Sequence, residues 1–138
     1  MKIIVDTSIW SIALRRQASQ NEIIIKELES LIGDFLVQLI GPIRQEILSG
    51  IKSEKQYEKL KNYLRFFPDY QIQTKDFELA AQFFNQCRSK GIQGSNTDFL
   101  ICSIAFNNNW QVFTTDQDFS HFQQIIPVKL YKVNSYNL

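Results

Sequence analysis

Hydrophobic and polar positions fall along the chain in blocks that read as short strands separated by helices. Ile3, Ile4 and Val5 form a continuous apolar run within residues 2–6, the character of a strand covered on both faces in a parallel sheet. The run stops at Asp6, and the hydroxyls of Thr7 and Ser8 suit a helix start near Ser8 that runs through IWSIALRR. NEIIIKELESLIGD reads as a second helix, with Asn21 placed to cap it and Gly33 placed to stop it. FLVQLI (35–40) is the next strand, and Pro42 suits the first turn of the helix IRQEILSG. SEKQYEKLKNYLRFF is a further helix, ended by Pro68. YQIQT (70–74) reads as a short strand, and KDFELAAQFFNQCRSKG as a helix with an apolar stripe at Phe77, Ala80, Ala81, Phe84 and Cys87. After the loop GIQGSN come a helix, TDFLICSIAFNNN, a strand, QVFTTD, and a last strand, VKLYKV (128–133). Strands alternating with helices predict a three-layer α/β domain whose mostly parallel, four- or five-stranded sheet is flanked by helices. No repeat, linker or low-complexity tract divides residues 1–138, so the expectation is a single domain.

Composition adds a packed core and removes several partners. With 138 residues, 44% of them apolar and 11 of them Phe, the chain can bury most of its apolar surface without a disulfide or structural metal. Fifteen Lys and Arg against fourteen Asp and Glu leave a net charge of +1, which excludes a global field drawing the protein to nucleic acid or membrane. Any polyanion has to be met by a local patch. Lys52, Lys55 and Lys59 fall on one face of the predicted fourth helix, with Lys61 and Arg65 nearby, and form a candidate RNA-binding track for phosphates. Cys87 and Cys102 have no CxxC spacing and no partnering His, which fits a reduced compartment. No apolar run reaches the length of a membrane span and no signal-peptide pattern opens the chain, so a cytoplasmic location is expected.

The candidate chemistry lies in four acids. In open parallel sheets, sites form outside the carboxyl ends of the strands; Asp6 ends the first strand and Asp116 ends QVFTTD. On a helical wheel Asp98 shares its face with Ile101, Cys102 and Ala105, and Glu46 shares its face with Ile43, Ile47 and Gly50. Both carboxylates are therefore expected to point to the sheet side of their helices. Arg44, two residues from Glu46, lies on the nearly opposite face. Singly, each acid has an ordinary structural reading: Asp98 answers a helix dipole, Asp6 and Asp116 serve turns or caps, and Glu46 joins an ion pair. Asp118 reads as structuring the turn of DQDF. Jointly, four carboxylates without matching cations raise one another's pKa unless a cation neutralises them. A bound divalent metal resolves this, and an all-oxygen donor set without His or Cys favours Mg²⁺ or Mn²⁺ over Zn²⁺.

The ordered set VDTSIW, GPIRQEILSG, RSKGI, TDFLICSIA and VFTTDQDF resembles the PIN-domain nucleases, specifically the VapC toxins of type II toxin–antitoxin pairs, over nearly the whole chain. The resemblance implies a PIN-like fold and a Mg²⁺- or Mn²⁺-dependent endoribonuclease that hydrolyses RNA phosphodiester bonds. It also implies a homodimer held inactive by a cognate, VapB-like antitoxin. The family's acidic positions fall on Asp6, Glu46, Asp98 and Asp116, and its hydroxyl in the last motif on Thr114. Thr114 and Ser8 then become candidates to hydrogen-bond a carboxylate or the scissile phosphate, as groups behind metal ligands do. Two positions depart from the pattern. Cys102 and Ser103 replace a pair of small alanines, and Asn109 stands where a Gly commonly closes the helix; Asn is the next-best residue for a left-handed helix end. An aspartate phosphatase would want a second acid at position 8, where Ser8 stands. A non-catalytic PIN-like module would not need all four acids.

Overall fold

A computed structural model describes residues 1–15 and 21–133 of the chain. Three parallel strands, β1 (Ile3–Val5), β2 (Val37–Gln38) and β3 (Gln111–Phe113), form a sheet in the order β2-β1-β3. All three residues of β1 are buried, as the central strand of a covered sheet requires. Seven helices are described around it: α1 (Thr7–Arg15), α2 (Glu22–Gly33), α3 (Gly41–Leu48), α4 (Glu54–Leu64), α5 (Thr74–Ser89), α6 (Asn96–Asn108) and α7 (Asp118–Phe122). Arg16, the last residue of the predicted first helix, lies outside the described residues. No described helix is long and apolar enough to cross a membrane.

Strand order locates the site. The chain leaves β1 for β2 on one side and returns past β1 to β3 on the other, so strand order reverses between β1 and β3. The crevice outside their carboxyl ends is where open α/β sheets place ligands. The backbone N–H of Asp6 donates to the carbonyl of Phe113 at 2.9 Å and ties the two strand ends together there.

Fewer strands form than the pattern predicted. Among the described residues, segment 70–74 forms no strand: the parallel bridge with Leu39 falls on Asp69, just before it, and Tyr70 adds one backbone bond to the Leu39 carbonyl, while segment 128–133 contributes a single parallel bridge, Val112 with Leu130. In the first segment, Gln73 is drawn into the N-cap of α5, which ends any extension of pairing. The last segment does lie beside β3: Val112 donates to the carbonyl of Lys129 and Tyr131 donates to that of Val112.

Helix ends follow local chemistry in part: Asn21 stands at the N-cap of α2, but its side chain makes no capping hydrogen bond. Ser95 and Asp98 form a reciprocal capping box at the start of α6, and Asn109 closes the helix in the left-handed region at φ 57°. Gly33 does not stop α2 by this device; it stays helical, and the left-handed residue is Phe35, at φ 58° and 82% exposed.

The core spans the sheet and most helices. Residues 99–105 of α6 are all buried, so this helix is central, and its apolar character on every side has that cause. It packs against α5 and β3, while α1 packs against α2 and α3. The phase of α5 differs from the predicted stripe: Asp76, Ala80, Phe83 and Cys87 face inward, and Phe77 is 55% exposed. Asp76 takes a core position because its buried carboxylate is fully met. Oδ2 accepts from Tyr70 OH and the Gln73 backbone N–H, both at 2.9 Å, and Oδ1 accepts from Asn107 Nδ2 at 2.7 Å.

Candidate active site

Asp6 sits where β1 turns directly into α1, and its carbonyl accepts the first helical bonds, from Ile9 and Trp10. Its side chain is 8% exposed, and a carboxylate this buried needs donors. Two hydroxyls supply them at a single oxygen: Ser8 Oγ donates to Oδ2 at 3.0 Å and Thr114 Oγ1 donates to Oδ2 at 2.8 Å. The two hydroxyl oxygens lie 3.3 Å apart. Thr114 Oγ1 also accepts from the Asp116 backbone N–H at 3.0 Å, and Ser8 Oγ accepts from that of Thr115 at 3.1 Å. The structure thus brings Ser8 and Thr114 together on Asp6 across the strand-order reversal.

Asp98 enters from the first turn of α6. Its Oδ2 accepts from the Ser95 N–H at 3.2 Å, and its own N–H donates to Ser95 Oγ at 3.1 Å. It caps its helix and faces the other acids at the same time. Burial, above all, raises its pKa, and the nearby charges of Asp6 and Asp116 raise it further; the Ser95 hydrogen bonds pull the other way.

β3 ends at Phe113, so Asp116 lies three residues past the strand, exposed, instead of ending it as the pattern suggested. Asp116 Oδ1 accepts the Asp118 backbone N–H at 2.9 Å, so Asp116 and not Asp118 structures the DQDF turn. The Asp118 carboxylate is thereby released to the site. Asp98, Asp116 and Asp118 each bring a carboxylate oxygen within 4.8 Å of one another, the one group of acids, His or Cys among the described residues spaced to hold a metal ion. The signal for Asp118 was present in the sequence: an acid that accepts the N–H two residues on makes the turn, and the second acid is left free.

Glu46 departs from its expected orientation. It lies on α3 at the exposed rim, with Thr7 Oγ1 donating to Oε2 at 3.4 Å. A wheel gives direction around a helix but not depth, and α3 places this residue past the edge of the core. Burial of the carboxylate raises its pKa, Asp6 and then Asp98 add to the rise, and the Thr7 hydrogen bond opposes it. Glu46 therefore feels the charges of Asp6 and Asp98, and Asp98 those of Asp6 and Asp116. Arg44 supplies no relief, because its guanidinium holds the Asp69 carboxylate at 3.1–3.2 Å and the carbonyls of Leu64 and Phe67.

The three lysines do not share one helix face. Lys52 precedes α4, which begins at Glu54. Lys59 lines an apolar groove of about 530 Å³ between α1, α2 and α4, together with Trp10, Leu14, Leu28 and Leu60. Thr7, Glu46 and Thr97 line a separate recess of about 470 Å³.

Fold and acids together define a parallel α/β domain with a carboxylate-rich crevice at its strand-order reversal. The PIN domain family matches residues 3–124, and the chain belongs to that family. No curated protein sequence matches it. Its fold is shared with VapBC2 from Rickettsia felis, solved bound to a DNA fragment from their promoter. That likeness has a TM-score of 0.76 and 21% identity, and covers 95% of this chain and 98% of that one. FitAcB from Neisseria gonorrhoeae is similar at a TM-score of 0.76 and 22% identity, covering 99% of both chains. VapBC-1 from nontypeable Haemophilus influenzae follows at 0.74 and 14%, covering 96% and 98%.

Proposed function

We propose that this chain is a divalent-metal-dependent endoribonuclease, the toxin of a toxin–antitoxin pair, acting in the cytoplasm as a homodimer and restrained by a VapB-like antitoxin. The observation that carries the reading is the meeting of Asp98, Asp116 and Asp118 beside Asp6 and Glu46, with no ion pair to any of them among the described residues. Such a donor set suits Mg²⁺ or Mn²⁺, with Asp98, Asp116 and Asp118 as the nearest ligands and Asp6 beside them. When bound, the ion supplies Lewis-acid stabilisation of charge on the phosphodiester and lowers the pKa of water.

The residues of the chain do the rest. Ser8 and Thr114 pin one oxygen of Asp6 and so fix the direction of the other. Ser95 does the same for Asp98, and Thr7 for Glu46. Glu46, at the rim of the recess with Oε2 held by Thr7, is the carboxylate we assign to accept the proton released when water attacks phosphorus. The water oxygen forms the new bond to phosphorus as the P–O bond to the opposite ester oxygen breaks, and that oxygen takes its proton from solvent water.

The motif order resembles VapC toxins, and the names VapBC2 and VapBC-1 of two fold neighbours join VapC to a VapB partner. The apolar groove between α1, α2 and α4 is the seat we assign to an antitoxin segment here. Asp6→Asn and Asp98→Asn should each abolish Mg²⁺-dependent cleavage of RNA while far-UV circular dichroism stays native. Full activity in both variants would overturn the reading.

A further inference from the structure

We infer that the groove between α5 and α6 is a nucleobase subsite, which seats an unpaired RNA base beside the phosphate held at the acids. This rests on the ribonuclease reading above. Thr97, one residue before Asp98, lines the recess of Glu46 and also an adjoining groove of about 400 Å³. Leu100 floors that groove, Phe77 and Phe84 line it, and Asn85 and Asn96 bring two amides to it. The two recesses meet at Thr97, so an occupant of one is a neighbour of the other. The larger apolar groove between α1, α2 and α4 shares no lining residue with the Glu46 recess.

The chemistry of the groove selects its occupant. No acid lines it, in contrast to the crevice next door, so a neutral ring is favoured over a second cation. Its volume suits a small planar ligand. Phe77 is 55% exposed because Asp76, not Phe77, occupies the inward position of α5. Phe84 is braced edge-on by Phe99, with ring centroids 5.6 Å apart, and the Arg88 guanidinium lies 5.9 Å from its ring. Aromatic faces stack on bases with little sequence preference, and a cation alongside favours the backbone phosphates. The Asn amides offer both a donor and an acceptor, which a base edge can match. A base inside a duplex exposes neither face, so the subsite takes single-stranded RNA.

The test is fluorescence anisotropy in Mg²⁺, using the full chain carrying Asp6→Asn to suppress cleavage and a labelled, random-sequence single-stranded RNA. Phe77→Ala and Phe77→Leu, both at an exposed position that leaves folding intact, should weaken binding roughly five- to 150-fold through loss of one stacked base. An RNA carrying abasic sugars should bind the parent more weakly by a similar factor and lose nothing further with Phe77→Ala. In the chain with Asp6 restored, Asn96→Ala should alter which bases flank the cut sites. Parent and Phe77→Ala binding RNA equally overturns the subsite and leaves the nuclease reading standing. So does sedimentation in which Phe77→Ala converts a dimer to a monomer, since the groove is then a contact with a second copy. A parent that binds no RNA overturns both.

Discussion

Replacing Thr114 with Val removes one hydroxyl from between two acids of the site and so tests whether Asp6 is a positioned ligand or a structural cap. Thr114 Oγ1 donates to Asp6 Oδ2 at 2.8 Å and accepts from the Asp116 N–H at 3.0 Å. Val keeps the branched shape and loses both bonds. A hydrogen bond to a charged acceptor contributes about 1.5–3 kcal/mol. Here the lower end applies, because Ser8 still donates to the same oxygen at 3.0 Å and Thr114 is only half-buried. The expected loss of stability is about 1–2 kcal/mol in urea denaturation of the metal-free chain. The larger effect is on metal: freeing a ligand from the group that orients it costs about tenfold to a hundredfold in affinity, read by titration calorimetry with Mn²⁺. Thr114→Ser should restore both. Thr115→Val is the control, since Thr115 is exposed and engages the site through its backbone N–H to Ser8; it should stay within about 0.5 kcal/mol of the parent. A Thr114→Val chain that binds Mn²⁺ as tightly as the parent refutes the positioning argument.

Two further outcomes follow from groups already placed. Asp98 and Glu46 bind their protons more tightly in the folded chain than at their ordinary values of 3.8 and 4.5, each through burial first and neighbouring carboxylates next. The stability they contribute without metal is thus full below about pH 4 and is lost as pH rises through their raised values. Mg²⁺ competes with those protons, so the Mg²⁺-induced rise in Tm should be near zero at about pH 4 and grow toward neutrality. A rise independent of pH in paired scans with Mg²⁺ and EDTA would contradict this. Asp76→Ala strands the Tyr70 hydroxyl, the Gln73 N–H and the Asn107 amide in or near the core. At about 1–3 kcal/mol for each donor left without a partner, partly relieved by water, urea denaturation should read a loss of about 3–5 kcal/mol. A loss under about 1 kcal/mol would show that the network is not holding α5 to α6.

What the sequence reveals here depends on how local the cause is. The order of elements is legible because each start and stop is marked within a few residues: the apolar run of β1, Ser53 and Ser95 at helix starts, Pro42 in the first turn of α3, and Asn109 at the left-handed end of α6. The extent of the sheet is not legible, because segments 70–74 and 128–133 carry strand character but pair only as far as their neighbours permit. The phase of α5 escapes hydropathy for a related reason. Asp76 is polar by type and buried by circumstance, its partners coming from residues 70, 73 and 107. In the site, Asp6 and Asp98 are readable as a strand end and a helix cap, since those roles fix their backbones. The depth of Glu46 depends on how α3 sits on the rest of the fold. No wheel or spacing contains that.

The hydrogen bonds of the acids share a pattern that bears on why no Lys or Arg among the described residues serves them. Asp6 is held at Oδ2 by two hydroxyls, Asp98 at Oδ2 by a backbone N–H, Asp116 at Oδ1 by another, and Glu46 at Oε2 by Thr7. Every donor is neutral, and each engages one oxygen of its acid. A Lys in this crevice would relieve the mutual repulsion that raises Asp98 and Glu46, but it would occupy the position a cation must take. Neutral donors satisfy part of each carboxylate and fix its orientation while leaving the summed negative charge intact. Arg44, the nearest guanidinium in sequence to Glu46, is drawn off by Asp69 and two carbonyls. On the proposed reading, the ordering entropy of the ligands is thus already spent in the folded chain, and a divalent ion would release the residual repulsion.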